Sequence, residues 1–285
     1  MRSARWLFAA ALVGVVATAL NSPAFAKCEP ERVATAYPNL AAKKFKIAID
    51  PSTPPYTIRD PGNFENIIGF DADLARAVFK CVGLQLEFAT GAWSGLLPSV
   101  IAGQNDAMWS NLYYTSERAK QVDYVVYMQA GTGALVPKGN PKKLKSMDDT
   151  CGIRAAAGLG TVEEAAFRDQ SKKCVAAGKP EIPQVSYPDI AGGVRLVQND
   201  RADLMLTDLA LVDQLARDNP AAFERGFAIM TGFKVGVAIK KGREDLLKAL
   251  ADGLKEMQAD GTQQALLKKY GLDPTLQITA QTLKD

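Results

Sequence analysis

The 285-residue chain contains no histidine at all. That excludes catalytic triads built on an imidazole, and it removes the nitrogen ligand most used by zinc. Cysteine is scarce: Cys28, Cys81, Cys151 and Cys174 are the only four, and no two stand in a Cys-x-x-Cys spacing. A zinc site is not expected, and neither is a cofactor. A surplus of one charge is also missing. The formal net charge of +3 falls to +1 when Arg2 and Arg5 are set aside with the first 26 residues. Nothing reads as a basic stripe, so nucleic acid and anionic membrane have no electrostatic claim as the main partner. After residue 26, no stretch approaches the roughly 20 apolar residues of a membrane-spanning helix.

What is present begins with a leader. Arg2 and Arg5 precede an almost unbroken apolar run from Trp6 to Leu20, and Ala24-Phe25-Ala26 is a small-x-small site. This is the pattern of a secretory signal peptide cut after Ala26, too short and wrongly flanked to be a stable span. Lys27 rather than a cysteine follows the site, which argues against a lipid anchor. An exported chain meets an oxidising compartment, so the four cysteines are expected as disulfides. Three pairings are possible. Cys28–Cys81 with Cys151–Cys174 is favoured because each bridge then stays within one sequence-local unit.

The hydrophobic pattern restarts once along the chain. Phe45 to Asp50 reads as a strand, followed by the rigid loop Pro51-Ser-Thr-Pro-Pro-Tyr56 and a turn at Asp60-Pro-Gly62. Asp71 can cap a helix whose apolar face is Leu74, Val78, Cys81 and Val82. A strand over 84–89 and a short helix over 96–101 come next. Strand, helix, strand, helix and strand imply parallel pairing with right-handed crossovers. After an extended run at 131–136, a second set follows. It has a strand over 151–157, a helix opened by Thr161-Val-Glu-Glu164, a strand over 182–185, a short helix over 189–198 and a strand over 203–208. A second extended run at 232–238 leads to a helix carrying Leu247, Leu250, Leu254 and Met257 on one face, then a short last helix at 262–270. Two extended connectors between two α/β units describe a hinge.

The two units correspond where it matters. Gln104-Asn-Asp-Ala-Met-Trp-Ser-Asn111 aligns with Arg201-Ala-Asp-Leu-Met-Leu-Thr-Asp208, each following a short amphipathic helix. In open α/β sheets ligands gather beyond the carboxyl ends of strands, so Ser110, Asn111 and Asp208 are expected to meet in the crevice between the lobes. Just beyond the first of these strands, Thr115 can cap a helix with Arg118 at its third position. A cation there opposes the helix dipole, so Arg118 either offers its planar fork to a carboxylate ligand or pairs at the surface with Glu117 or Asp123.

From residues 44 to 272 the chain resembles the periplasmic solute-binding proteins of ABC transporters, in the family that binds polar amino acids. The resemblance is carried by Ile49-Asp-Pro-Ser-Thr-Pro-Pro-Tyr56, Ile68-Gly-Phe-Asp-Ala-Asp-Leu-Ala75, Trp93 through Gly103, Thr115-Ser-Glu-Arg118, Gly160-Thr161, Ala202 through Asp208 and Gly236 through Gly242. It implies a type II periplasmic-binding-protein fold: an α/β architecture whose two lobes are mostly parallel sheets flanked by helices, joined by a two-stranded hinge. Lobe 1 would hold 27–132 and 236–285, and lobe 2 would hold 133–235. The implied function is capture of an amino acid or related zwitterion in the periplasm, without catalysis, by a monomer that delivers it to a membrane permease. Carried over residue by residue, Arg118 would bind the ligand carboxylate, helped by Thr161 and main-chain groups around Ser110 and Tyr113. Asp208 would take the ammonium, Trp93 would wall the ligand, and Asp50, Thr53 and Asn111 would face its side chain. Each residue also has a structural reading. Thr161 with Glu164 makes a capping box, Asp208 can cap the next helix, Trp93 can be core, Asp50 can end a strand, and Asp71 and Asp73 are ordinary helix-start acids. Thr53 stands where the family usually has an aromatic, and Asn111-Leu-Tyr-Tyr114 is bulkier than usual. The alternatives are an exported dehydratase-like lyase on the same scaffold and a ligand-sensing subunit of a membrane receptor.

Overall fold

The computed structural model describes residues 28–284; the expected leader lies outside them. The strands are β1 (Lys44–Ile49), β2 (Ser52–Thr53), β3 (Thr57–Asp60), β4 (Asn63–Ile68), β5 (Gln85–Thr90), β6 (Ala107–Tyr113), β7 (Val122–Pro137), β8 (Ala155–Gly158), β9 (Gln184–Tyr187), β10 (Leu204–Asp208), β11 (Phe223–Lys240) and β12 (Gln277–Leu283). The helices are α1 (Val33–Ala36), α2 (Phe70–Cys81), α3 (Trp93–Ile101), α4 (Ser116–Ala119), α5 (Val162–Ala176), α6 (Ile190–Gln198), α7 (Leu209–Asp218), α8 (Glu244–Ala259) and α9 (Thr262–Lys269).

One sheet runs in the order β5-β1-β6-β11-β7-β10-β8-β9, with β12 added along β7. Pairing is parallel between β1, β5 and β6 at one end and between β8, β9 and β10 at the other. The long strands β7 and β11 are antiparallel to each other and to their neighbours. Side chains alternate across this sheet as a two-residue period demands. On β7, Val125 and Tyr127 belong to one core cluster while Tyr124 and Val126 belong to the cluster on the opposite face. Further along, Ala134 and Val136 face one way and Leu135 the other, matched by Leu204 and Leu206 against Met205 on β10. Strands buried on both faces need apolar residues at every position, which is why these segments read as unbroken hydrophobic runs.

The clusters fall into two groups. One is built from β1, β6, α2, α3, α8 and the near halves of β7 and β11, and the other from β8, β10, α5, α6 and the far halves. The chain passes from one group to the other along β7 and returns along β11. At the crossing, the β11–β7 register shifts between Ile229 and Phe233, and Gly232 takes a φ of 63° that favours glycine. The bridges are Cys28–Cys81 and Cys151–Cys174, as sequence locality favoured.

Several local expectations are corrected. Helix α2 starts at Phe70 with Gly69 at its N-cap, so Asp71 does not cap it. The strand expected over 151–157 is only β8, because Cys151 sits in a turn set by its disulfide. The loop after β1 forms the small sheet β2-β3-β4, with the expected turn at Pro61 and Gly62 between β3 and β4. Strand β12 carries no strong sequence signal: its alternation is mostly polar, and it forms because β7 offers it an edge to pair with.

Candidate ligand-binding cleft

Five strands end at one place. The carboxyl ends of β1, β6, β8, β9 and β10 deliver Asp50, Tyr113, Gly158, Tyr187 and Asp208 to a single cleft with an empty volume of about 620 Å³. Of the residues expected there, Asp50, Thr53, Trp93, Asn111, Tyr113, Arg118, Thr161 and Asp208 line it. Ser110 does not. It is fully buried one layer back, where its hydroxyl accepts the Asp50 amide at 3.1 Å and its carbonyl accepts Trp93 Nε1 at 3.1 Å.

Arg118 is placed by its own local sequence. Thr115 caps α4 by accepting the Arg118 amide at 3.2 Å, so the side chain leaves the helix in its first turn. Nη1 donates to the Tyr113 carbonyl at 2.7 Å and Nη2 to the Gly160 carbonyl at 3.0 Å. The guanidinium lies 5.4 Å from the centre of the Trp93 ring, within cation–π range. The surface pairing open to it in the sequence is not made. Glu117 pairs with Lys120 and Asp123 with Lys241, and among the described residues no carboxylate forms an ion pair with Arg118. Burial pulls its pKa below the ordinary guanidinium value. A partly desolvated cation held only by carbonyls favours an anion.

Asp208 sits opposite. It caps α7, accepting the amides of Ala210 and Leu211 on Oδ1. It also accepts the hydroxyls of Tyr56 on Oδ1 at 3.0 Å and Tyr113 on Oδ2 at 2.7 Å. Cap and cleft residue are therefore one and the same side chain. Burial raises its pKa, with the tyrosine and amide donors opposing that shift. Asn111 beside it takes a left-handed φ of 43°, and its buried Oδ1 has no hydrogen-bond partner among the described residues.

Behind Asn111 lies Asp71, read in the sequence only as a cap or helix-start acid. It is fully buried and accepts the Asn111 amide at 2.6 Å and the Tyr127 hydroxyl at 2.7 Å. Burial pushes its pKa up to about 7. It fixes the backbone of the cleft wall without reaching the cleft. Its partners are 40 and 56 residues away in sequence, so no local pattern announces it.

Across the cleft, Thr161 caps α5 by accepting the Glu164 amide at 3.2 Å and donates its hydroxyl to the Gly158 carbonyl at 2.8 Å. Glu164 closes the cap on the Gly160 amide rather than on that of Thr161, one residue off the usual reciprocal box. Two acids missed in the sequence also line the cleft: Glu163 in the first turn of α5, and Asp189, the N-cap of α6. Both follow strand ends, and the rule that located Asp208 would have found them. Asp50 accepts the amide and hydroxyl of Ser52 on Oδ1. Burial raises its pKa, and the charge of Asp189 adds to the effect.

A two-lobed α/β fold with a polar cleft where the strand ends converge defines a ligand-capturing protein. The chain belongs to the bacterial extracellular solute-binding proteins, family 3, whose model matches residues 45–273. It is 32% identical over 232 residues to the L-cystine-binding protein of Escherichia coli K12, covering 80% of this chain and 83% of that one. It is 28% identical to ABC transporter arginine-binding protein 1 of the same organism, covering 81% and 91%. Among solved structures, an ancestral arginine-binding protein bound to arginine matches with a TM-score of 0.72 at 28% identity, covering 80% of this chain and 97% of that one. An ancestral amino acid-binding protein described as a precursor of cyclohexadienyl dehydratase matches at 0.70 and 30% identity, covering 83% and 98%.

Proposed function

We propose that this protein, acting as a monomer in the periplasm after cleavage behind Ala26, captures an amino acid or related zwitterion and delivers it to the membrane permease of an ABC importer. One observation carries the reading: a guanidinium and a buried carboxylate, Arg118 and Asp208, are presented to one cleft from opposite sides. Arg118 exchanges its carbonyl partners for the ligand carboxylate, joined by Thr161 and the first amides of α5, where a helix N-terminus favours an anion. Main-chain groups around Ser110 and Tyr113 support the same end. Asp208 takes the ammonium, Trp93 walls the ligand, and Asp50, Thr53 and Asn111 meet its side chain. The lobes, 27–132 with 236–285 and 133–235, close about the crossing of β7 and β11. Relatives named as amino-acid-binding proteins of ABC transporters support the same conclusion.

The test is calorimetric titration of protein freed of ligand by unfolding and refolding. An amino acid should bind at one per chain without being consumed, and Arg118→Ala should abolish binding while the melting temperature of the ligand-free protein stays within a few degrees. Retained tight binding by the variant refutes the carboxylate assignment. Turnover of the bound compound refutes the binding-only reading and favours the lyase that the dehydratase-related neighbour brings into view.

A further inference from the structure

The cleft holds more negative charge than a zwitterion can use. Four carboxyl groups line it, those of Asp50, Glu163, Asp189 and Asp208, against the single guanidinium of Arg118. Glu163 is fully buried and bonded to the Thr132 hydroxyl at 3.1 Å, and burial followed by the nearby Asp208 charge raises its pKa. Even with Glu163 neutral, three carboxylates face one cation. A bound zwitterion balances Arg118 with its carboxylate and Asp208 with its ammonium. Asp50 and Asp189 remain uncompensated.

These two line the cleft from opposite lobes, near enough that, beyond burial, the charge of Asp189 raises the Asp50 pKa. Asp50 stands at the end of β1, its carboxylate fixed by Ser52 on β2, and α6 packs against β2. Asp189 is the N-cap of α6, accepting the Gly192 amide on Oδ1 at 2.7 Å. Among the described residues, the one ion pair either makes is that of Asp189 Oδ1 with Arg195 at 4.0 Å, whose side chain is largely exposed, a pairing worth little in solvent. The bonds from Ser52 to Asp50 and from Gly192 to Asp189 both use Oδ1. The α-ammonium does not need them. Asn111, only 7% exposed, lines the cleft beside Asp208 with its buried Oδ1 unpartnered, so it and Asp208 together accept that group. Closing two like charges over a neutral side chain is unfavourable, and closing them over a cation is favourable.

We infer that the ligand is a cationic amino acid, whose distal guanidinium or ammonium sits between Asp50 and Asp189. The inference rests on the zwitterion reading of Arg118 and Asp208, and the test separates the two. Ligand-free protein is titrated with arginine and its neutral isostere citrulline, with lysine and norleucine, and with cystine, which has a second ammonium but no net charge. The cationic member of each pair should bind about tenfold tighter or more, the scale of one charge-assisted contact, and arginine or lysine should bind tighter than cystine. In the Asp50→Asn/Asp189→Asn variant the arginine-to-citrulline ratio should fall toward one; asparagine keeps the α6 cap. Equal binding of arginine and citrulline and of lysine and norleucine, or tighter binding of cystine, overturns the distal-cation inference and leaves the zwitterion reading standing. Binding of none of the five overturns that reading itself. Should the variant not fold, the wild-type ratios decide alone.

Discussion

At Asp208 one carboxylate serves a helix cap, two tyrosines and the cleft. Its pKa is raised from the ordinary value because burial outweighs the donors around it. An ammonium needs the ionised form, so ligand binding lowers that pKa and affinity declines as pH falls through the raised value. Titrations at descending pH should show the decline, and Asp208→Asn should bind far more weakly with that dependence removed. Asp71 gives a stability counterpart. Its folded pKa of about 7 exceeds the unfolded value of 3.8. Between those pH values the folded state holds the extra proton, so this group costs the protein stability as pH rises and reaches its full cost above pH 7. Asp71→Asn removes that slope. In urea unfolding from pH 4 to 8 the variant should gain on wild type as pH rises, by at most roughly 4 kcal/mol if the shift is fully realised. A flat difference across that range would show that Asp71 is not a buried acid titrating there.

At the scale of elements, strands set the cleft and local caps aim its side chains. The sequence disclosed what depends on near neighbours. Thr115 three residues before Arg118 marked the start of α4, and the correspondence of 104–111 with 201–208 marked strands running through Asn111 and ending at Asp208. It did not disclose what depends on distant partners. Asp71 looks like any helix-start acid until Tyr127 and Asn111 are folded against it, and Tyr56 looks like a loop residue until its hydroxyl meets Asp208. Asp189 and Glu163 follow strand ends and were legible to that extent, but which cleft residues they meet depends on both halves of the fold being in place. The bridge Cys151–Cys174 belongs to α5 and the turn before β8, away from the cleft. Replacing both cysteines by serine should lower stability by about 3 kcal/mol, the loop-closure scale for a bridge of this span. Amino-acid affinity should stay within a few-fold of wild type, and a larger loss would mean that α5 depends on the bridge to hold Thr161 in position.

For the whole molecule, the question is what closure exchanges. Arg118 donates to Gly160, and Tyr56 and Tyr113 donate to Asp208, across the cleft. These bonds belong to the closed arrangement, and a full reversal of populations from open to closed requires roughly 5 kcal/mol of differential binding from the ligand. On the proposed reading it supplies this by placing an opposite charge, in place of a neutral partner, against each of the same two side chains. Folding sets the positions, and the two crossing strands let them part. The most direct measurement of this account is a crystal structure of the ligand-free protein soaked with arginine or lysine. The account predicts the ligand carboxylate within hydrogen-bond reach of Arg118, its α-ammonium on Asp208, and its distal cation between Asp50 and Asp189. A ligand lying reversed, or bound without touching Arg118 and Asp208, would contradict it.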